Sequence, residues 1–222
     1  MSTLNPLMRI EPQMLDSGRG AGRDEREARR ERVHSTIREL DLPDRTLRSY
    51  PHQLSGGMRQ RVMIGLAAHV DPEVILADEP TTALDVVVQR QILETLVRLQ
   101  RKQRNAVVIV SHDLGVHYQV TQRVAILYAG RLVEIGATDE VLRRPGHPYT
   151  RGLIDALPRL GDRTPRQGID GRPPDLLELP PGCRFAPRCP HKFDRCDSVD
   201  PALYPVDRAD WGAACLLQEK VL

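Results

Sequence analysis

The 222 residues, 25.0 kDa in all, can bury a real core and fit one domain with an appendage or two small domains. Their 32 basic and 30 acidic side chains leave a formal charge of +2, which gives no electrostatic case for nucleic-acid binding. No run nears the roughly 18 apolar residues of a membrane span, so membrane association is expected only through a partner.

Residues 1–18 read as irregular or loosely helical. The mixed-sign run from Arg19 to Arg32 leads into Val33, Ile37 and Leu40, whose spacing predicts an amphipathic helix with a solvated start. Leu42-Pro43 breaks it. A second helix is expected from Ser55, with Met58, Val62, Leu66 and Val70 along one face. Val74–Ala77 predicts a short buried parallel strand. Val86–Gln103 predicts a helix with Val88, Ile92, Leu96 and Leu99 inward and Asp85 as its cap. Ala106–Val110 is a second buried strand, running into Ser111-His112-Asp113. Arg123–Tyr128 and Arg131–Ile135 flank Ala129-Gly130 as a tight hairpin. Strand, helix, strand and hairpin together predict an α/β layer architecture. After Pro145 the texture turns proline- and glycine-rich with little periodicity, as in a loop-rich module.

Three features carry chemistry. Ser55-Gly56-Gly57 opens a helix, where free N–H groups and a partial positive charge attract phosphate and glycines admit a ligand close to the backbone. Alone, the triplet is a weak signal, since serine-glycine pairs also start ordinary helices. Asp78-Glu79 ends an apolar strand, and ligands of parallel α/β sheets bind beyond the carboxyl ends of strands. There Asp78 suits Mg²⁺ held through water, and Glu79 suits the polarising of an attacking water. His112 directly follows the second strand, placed to contact a terminal phosphate. The order of these features says more than any one of them.

That order resembles the ATP-binding subunit of an ABC transporter. Leu54–Met58 matches the signature motif, Val74–Glu79 the Walker B strand, Thr82–Asp85 the D-loop and His112 the H-loop. Tyr50-Pro51-His52-Gln53-Leu54-Ser55-Gly56-Gly57-Met58-Arg59-Gln60-Arg61 and His147-Pro148-Tyr149-Thr150-Arg151-Gly152-Leu153 are similar to the dipeptide/oligopeptide (and nickel) importer subfamily. So is Leu179-Pro180-Pro181-Gly182-Cys183-Arg184-Phe185-Ala186-Pro187-Arg188-Cys189-Pro190, in that subfamily's C-terminal extension. The resemblance implies ATP and Mg²⁺ as ligands, with Ser55, Gly56, Gly57 and Asp85 at nucleotide. It implies Asp78 on the metal, and Glu79 and His112 as the catalytic pair. Two such domains sandwich ATP in that family, so the signature of one completes the site of the other.

No G-x-x-x-x-G-K-[ST] stretch occurs in the sequence, and Met1–Pro6 resembles the stretch just after the family's Q-loop glutamine. The expectation is therefore an incomplete P-loop NTPase (ABC ATPase) domain over 1–145, truncated at its N-terminus. Its helical signature subdomain covers about 1–70 and its Walker B to H-loop core about 71–145. The extension of 146–222 follows. Such a chain is expected to hydrolyse ATP negligibly by itself.

Cys183, Cys189, Cys196 and Cys215 are spaced C-x5-C-x6-C-x18-C. Four thiols in a loop-rich module suggest a metal staple rather than disulfides. The spacing lacks the close pair usual in zinc sites and suits a [4Fe–4S] cluster, with zinc and free thiols as the alternatives. Some members of the resembled family are thought to carry such a cluster there.

The function implied is energising a short-peptide importer from the cytoplasmic face of the membrane. Its partners would be a second ABC ATPase subunit, two transmembrane permeases and, indirectly, an extracytoplasmic peptide-binding protein. The alternative is a non-catalytic remnant that only donates its signature to a partner ATPase. A soluble ABC protein of translation or DNA repair fits less well, since those lack the His147–Leu153 and cysteine patterns.

Overall fold

The computed structural model describes residues 4–17, 23–157 and 168–219. Expectations for residues 19–22 and for 158–167 of the proline-rich stretch lie outside them. By internal contacts the chain divides into two units, Met1–Val116 and His117–Leu222. The composition shift at Pro145 falls inside the second unit.

In the first unit, α1 (Ile10–Asp16) is a short helix within the stretch read as irregular or loosely helical. α2 (Arg23–Glu39) brings Val33 and Ile37 inward, and they and Leu40 are fully buried. The helix stops where Asp41 turns left-handed, with φ 55°. α3 (Gly56–Ala68) begins at its Ser55 cap and buries Val62. Val70 lies beyond the helix end and is 46% exposed, so the apolar stripe read through residue 70 overran its helix. Close packing of α3 requires Gly65. A Cβ there would stand 2.5 Å from Leu40 Cδ1 and 3.3 Å from Thr36 Cγ2.

β1 (Val74–Asp78) and β2 (Ala106–Val110) pair in parallel, from Val74 opposite Ala106 to Asp78 opposite Val110. α4 (Val86–Gln103) connects them, capped by Asp85 as expected, with Ile92, Leu96 and Leu99 buried beside Ile75. Both strands are expected to be buried, and the structure corrects this. Leu76 is 76% and Val110 56% exposed. A continuous apolar run reads as doubly covered, but among the described residues helices cover one face of this pair only.

α5 (Leu114–Val120) leads to β3 (Arg123–Tyr128) and β4 (Arg131–Ala137). These form the expected hairpin, closed by Ala129 and Gly130 with φ of 48° and 74°, as a tight two-residue turn requires. α6 (Thr138–Arg143) and α7 (Pro148–Asp155) follow. The cysteine-bearing extension then contributes β5 (Tyr204–Pro205) and β6 (Gly212–Ala213), giving one sheet of order β3-β4-β6-β5. Glu134 pairs with Ala213, and Ile135 with Gly212. The extension is thus hydrogen-bonded into the hairpin's own sheet.

Candidate functional site

Ser55 starts α3 by accepting the Met58 N–H on its hydroxyl at 3.3 Å, and it remains exposed. Its two glycines are there for contact as well as access. A Cβ on Gly57 would meet Val88 Cγ1 at 2.6 Å, and one on Gly56 would meet Leu84 Cδ2 at 3.4 Å. The N-terminal end of α3 therefore rests on the turn that opens α4. Asp85, expected at nucleotide, uses Oδ1 to accept the Val88 N–H at 3.0 Å.

Glu79 sits just past β1, fixed by its own N–H to the Val110 carbonyl at 2.9 Å and held at φ 46°. Its Oε1 accepts the His112 backbone N–H at 3.1 Å and lies 2.8 Å from His112 Nδ1. Its Oε2 accepts the Thr82 hydroxyl at 2.8 Å. The structure thus brings into contact the two residues the resemblance implies as catalytic and adds a third, Thr82, read only as part of the D-loop.

Hydrogen bonds from His112 and then Thr82 hold the Glu79 carboxyl below its ordinary pKa. The same hydrogen bond, with the carboxylate's charge, holds the His112 imidazole above its own. Nδ1 donates to Glu79, so the protonated ring keeps an Nε2–H directed elsewhere and free to meet an anion. Beside them, the exposed Asp78 carboxylate accepts no hydrogen bond and makes no ion pair among the described residues. Such an uncommitted carboxylate suits a hydrated cation.

In the second unit all four cysteines line one small pocket with His147, Phe185 and His191. They are free thiols, Cys196 and Cys215 buried and the other two half-buried. Gly182 makes the convergence possible: a Cβ there would lie 2.4 Å from the Cys196 carbonyl oxygen. Nearby backbone N–H groups favour the charged form of three of them, Phe185 and Ala186 for Cys183, His191 for Cys189 and Leu217 for Cys215. Burial nevertheless pushes these thiols up, Cys215 to about 11. Among the described residues no group of three His, Cys, Asp or Glu is placed to hold a single metal ion.

Sequence reading missed Glu134. It is fully buried on β4 and accepts the N–H groups of Gly146 at 2.7 Å, His147 at 3.1 Å and Trp211 Nε1 at 2.9 Å. His147 in turn caps α7, its Nδ1 accepting the Tyr149 N–H at 3.0 Å. Burial drives the His147 pKa down to about 4, so this ring is neutral at physiological pH. The His-Pro-Tyr stretch is in this sense structural: it seats α7 on a buried carboxylate.

Two family models match the chain. The ABC transporter model covers residues 2–82, and the oligopeptide/dipeptide transporter C-terminal region covers 133–196. The dipeptide transport ATP-binding protein DppD of Bacillus subtilis is 45% identical over 207 residues, 90% of this chain and 61% of its own length. A peptide import ATP-binding protein of Brucella melitensis is 42% identical over 236 aligned positions, covering all of this chain and 68% of the relative. Among solved structures, a dimeric bacterial ABC transporter cassette matches with TM-score 0.51 and 33% identity over 61% of this chain and 59% of the other. An ABC transporter component from Clostridium perfringens, 24% identical with TM-score 0.56, covers 64% of this chain and 55% of its own, and supports the fold alone. The chain spans about 61% of the Bacillus relative's length. None of its described helices is long and apolar enough to cross a membrane. The glycine-started helix, the acid-ended strand and the carboxyl-terminal module all fall within these matches, and the chain belongs to the peptide-import family of ABC transporter ATP-binding proteins.

Proposed function

We propose that this chain is an ATP-binding and ATP-hydrolysing subunit that energises import of short peptides. It would act at the cytoplasmic face of the membrane with a second ATP-binding subunit and two permeases, fed by an extracytoplasmic peptide-binding protein. The observation that carries the proposal is the Glu79–His112 pair at the carboxyl end of a parallel strand pair. Glu79 orients the attacking water and takes its proton, at a triphosphate whose P-loop cradle is not among these 222 residues. His112 donates from Nε2 to the developing charge on the terminal phosphate. Ser55, Gly56 and Gly57 present helix-start N–H groups to nucleotide held by the partner subunit, and Asp85 fixes the start of α4 behind them. Asp78 would hold Mg²⁺ through water, and the bound ion supplies neutralisation of phosphate charge.

Ser55→Arg tests this in the assembled importer. The added bulk and charge should lower peptide-stimulated ATP turnover by about tenfold or more, whereas Ser55→Ala costs only the cap, about 1 kcal/mol of helix stability. A wild-type rate for Ser55→Arg would remove the signature from the mechanism. If Ser55→Arg abolishes turnover while Glu79→Gln leaves it intact, the chain only lends its signature to a partner's site.

We further infer that Cys183, Cys189, Cys196 and Cys215 hold a [4Fe–4S] cluster. Convergence of the four thiols on one pocket, with backbone N–H groups that favour three of them as thiolates, supports the fit. A cluster spreads its thiolates wider than one ion does, and hydrogen bonds to its sulfurs tune it. Bound there, it would supply the cross-link that a loop-rich module lacks. Anaerobically purified chain is expected to be coloured, with about four irons per chain, and Cys196→Ser to be colourless. Colourless wild-type protein with about one zinc per chain would replace the cluster by a zinc site.

A further inference from the structure

Both oxygens of Glu79 are already engaged: Oε1 by two groups of His112, Oε2 by the Thr82 hydroxyl. A carboxylate has about four acceptor positions, so little remains for a water. General-base action needs a carboxylate lone pair directed at that water, and the Thr82 hydroxyl at 2.8 Å competes for Oε2. We propose that Thr82 is a latch holding Glu79 in a resting pose, and that the turn carrying it links the latch to the Ser-Gly-Gly start of α3. The inference rests on reading Glu79 as the base for ATP hydrolysis.

The turn from Glu79 to Asp85 is built as one braced piece. Glu79 and Ala83 are both left-handed, at φ 46° and 61°, which non-glycine residues seldom adopt unless their surroundings impose it. The Thr82 N–H donates back to the Glu79 carbonyl at 3.3 Å, and Gln89 Nε2 on α4 donates to the Thr81 carbonyl at 3.2 Å. Two residues after Thr82, Leu84 lies against Gly56, and Val88 fills the space a Cβ of Gly57 would need. One segment therefore touches the carboxylate at one end and the anion-attracting helix start at the other. Displacement of Ser55–Gly57 by an arriving phosphate passes through Leu84 to Thr82, which frees Oε2 for water. The path from Gly56 through Leu84 to Thr82 is contiguous and packed, and the latch gives its end a second arrangement, with Oε2 open to water.

Thr82→Val removes the donor and keeps the shape; Thr82→Ser keeps the donor. In the importer assembled with this chain, Thr82→Val should raise peptide-independent kcat by about three- to tenfold with KM for ATP unchanged, and Thr82→Ser should restore the wild-type rate. In the chain alone, Thr82→Val should speed hydrogen exchange at the His112 amide, which the same carboxylate holds. A Thr82→Val rate at or below wild type, with Glu79→Gln inactive, overturns the latch and leaves Glu79 as base. Unchanged His112 exchange overturns it too. Wild-type turnover in Glu79→Gln overturns the reading of Glu79 and the latch with it.

Discussion

Glu79→Gln in the assembled importer should cut ATP turnover by about 10²- to 10⁴-fold, the span over which general-base help operates, while ATP binding survives. The substitution is nearly isosteric. Its amide oxygen can still accept the His112 backbone N–H where Oε1 does now, at 3.1 Å. Its NH₂ can donate to the Thr82 hydroxyl, which rotates to accept. What Gln cannot do is take a proton from water. It also withdraws the charge that favours protonated His112, so the imidazolium weakens as a phosphate donor. Both losses act in the transition state, so the fall should appear in kcat, with KM for ATP little changed. Single-turnover assays against wild type give the measurement, and a rate within about threefold of wild type would show that neither Glu79 nor its effect on His112 limits hydrolysis.

Glu134→Ala should be the most damaging single change to the second unit. Its removal leaves the Trp211 Nε1–H and His147 N–H, both buried, and the part-buried Gly146 N–H without their acceptor. Each orphaned buried donor costs about 1–3 kcal/mol, so a loss of about 3 kcal/mol or more is expected before any cavity is counted. Glu134→Gln, which keeps one acceptor oxygen but turns an NH₂ toward a donor, should fall between. Urea unfolding followed by the fluorescence of Trp211 reads both, because the chain has a single tryptophan. That ring is 1% exposed, with the Arg144 guanidinium 5.8 Å from its centroid. A Glu134→Ala loss under about 1 kcal/mol would mean that the three donors find other acceptors.

Local chemistry was the legible part. Ser55 and Asp85 cap α3 and α4 because a cap is decided within three residues, and the turn at Ala129-Gly130 because its torsions are decided within two. The pairing of Glu79 with His112 was legible only as two strand ends; that their side chains meet at 2.8 Å depends on the parallel register of β1 and β2. Thr82 stood inside a recognised motif with no sign that its hydroxyl faced back. Glu134 was invisible for a different reason. A charged residue in Leu132-Val133-Glu134-Ile135 reads as the solvent side of an alternating strand, and its donors lie 12, 13 and 77 residues away. Nor can a run such as Val74-Ile75-Leu76-Ala77 report whether one face or two will be covered.

The placement of β6 beside β4 gives the extension an architectural duty. Ala214 N–H closes on the Val133 carbonyl at 2.8 Å, and the next residue is Cys215. The final strand of the module is therefore a hem stitched along the hairpin, and its cysteine hangs from the last stitch. Trimming the module would unpick β4, strip Glu134 of its Trp211 partner and admit water to the hairpin's inner side. A centre held by those sulfurs would consequently be felt along the hairpin, and the tail is as much a keel for the strands before it as a domain of its own.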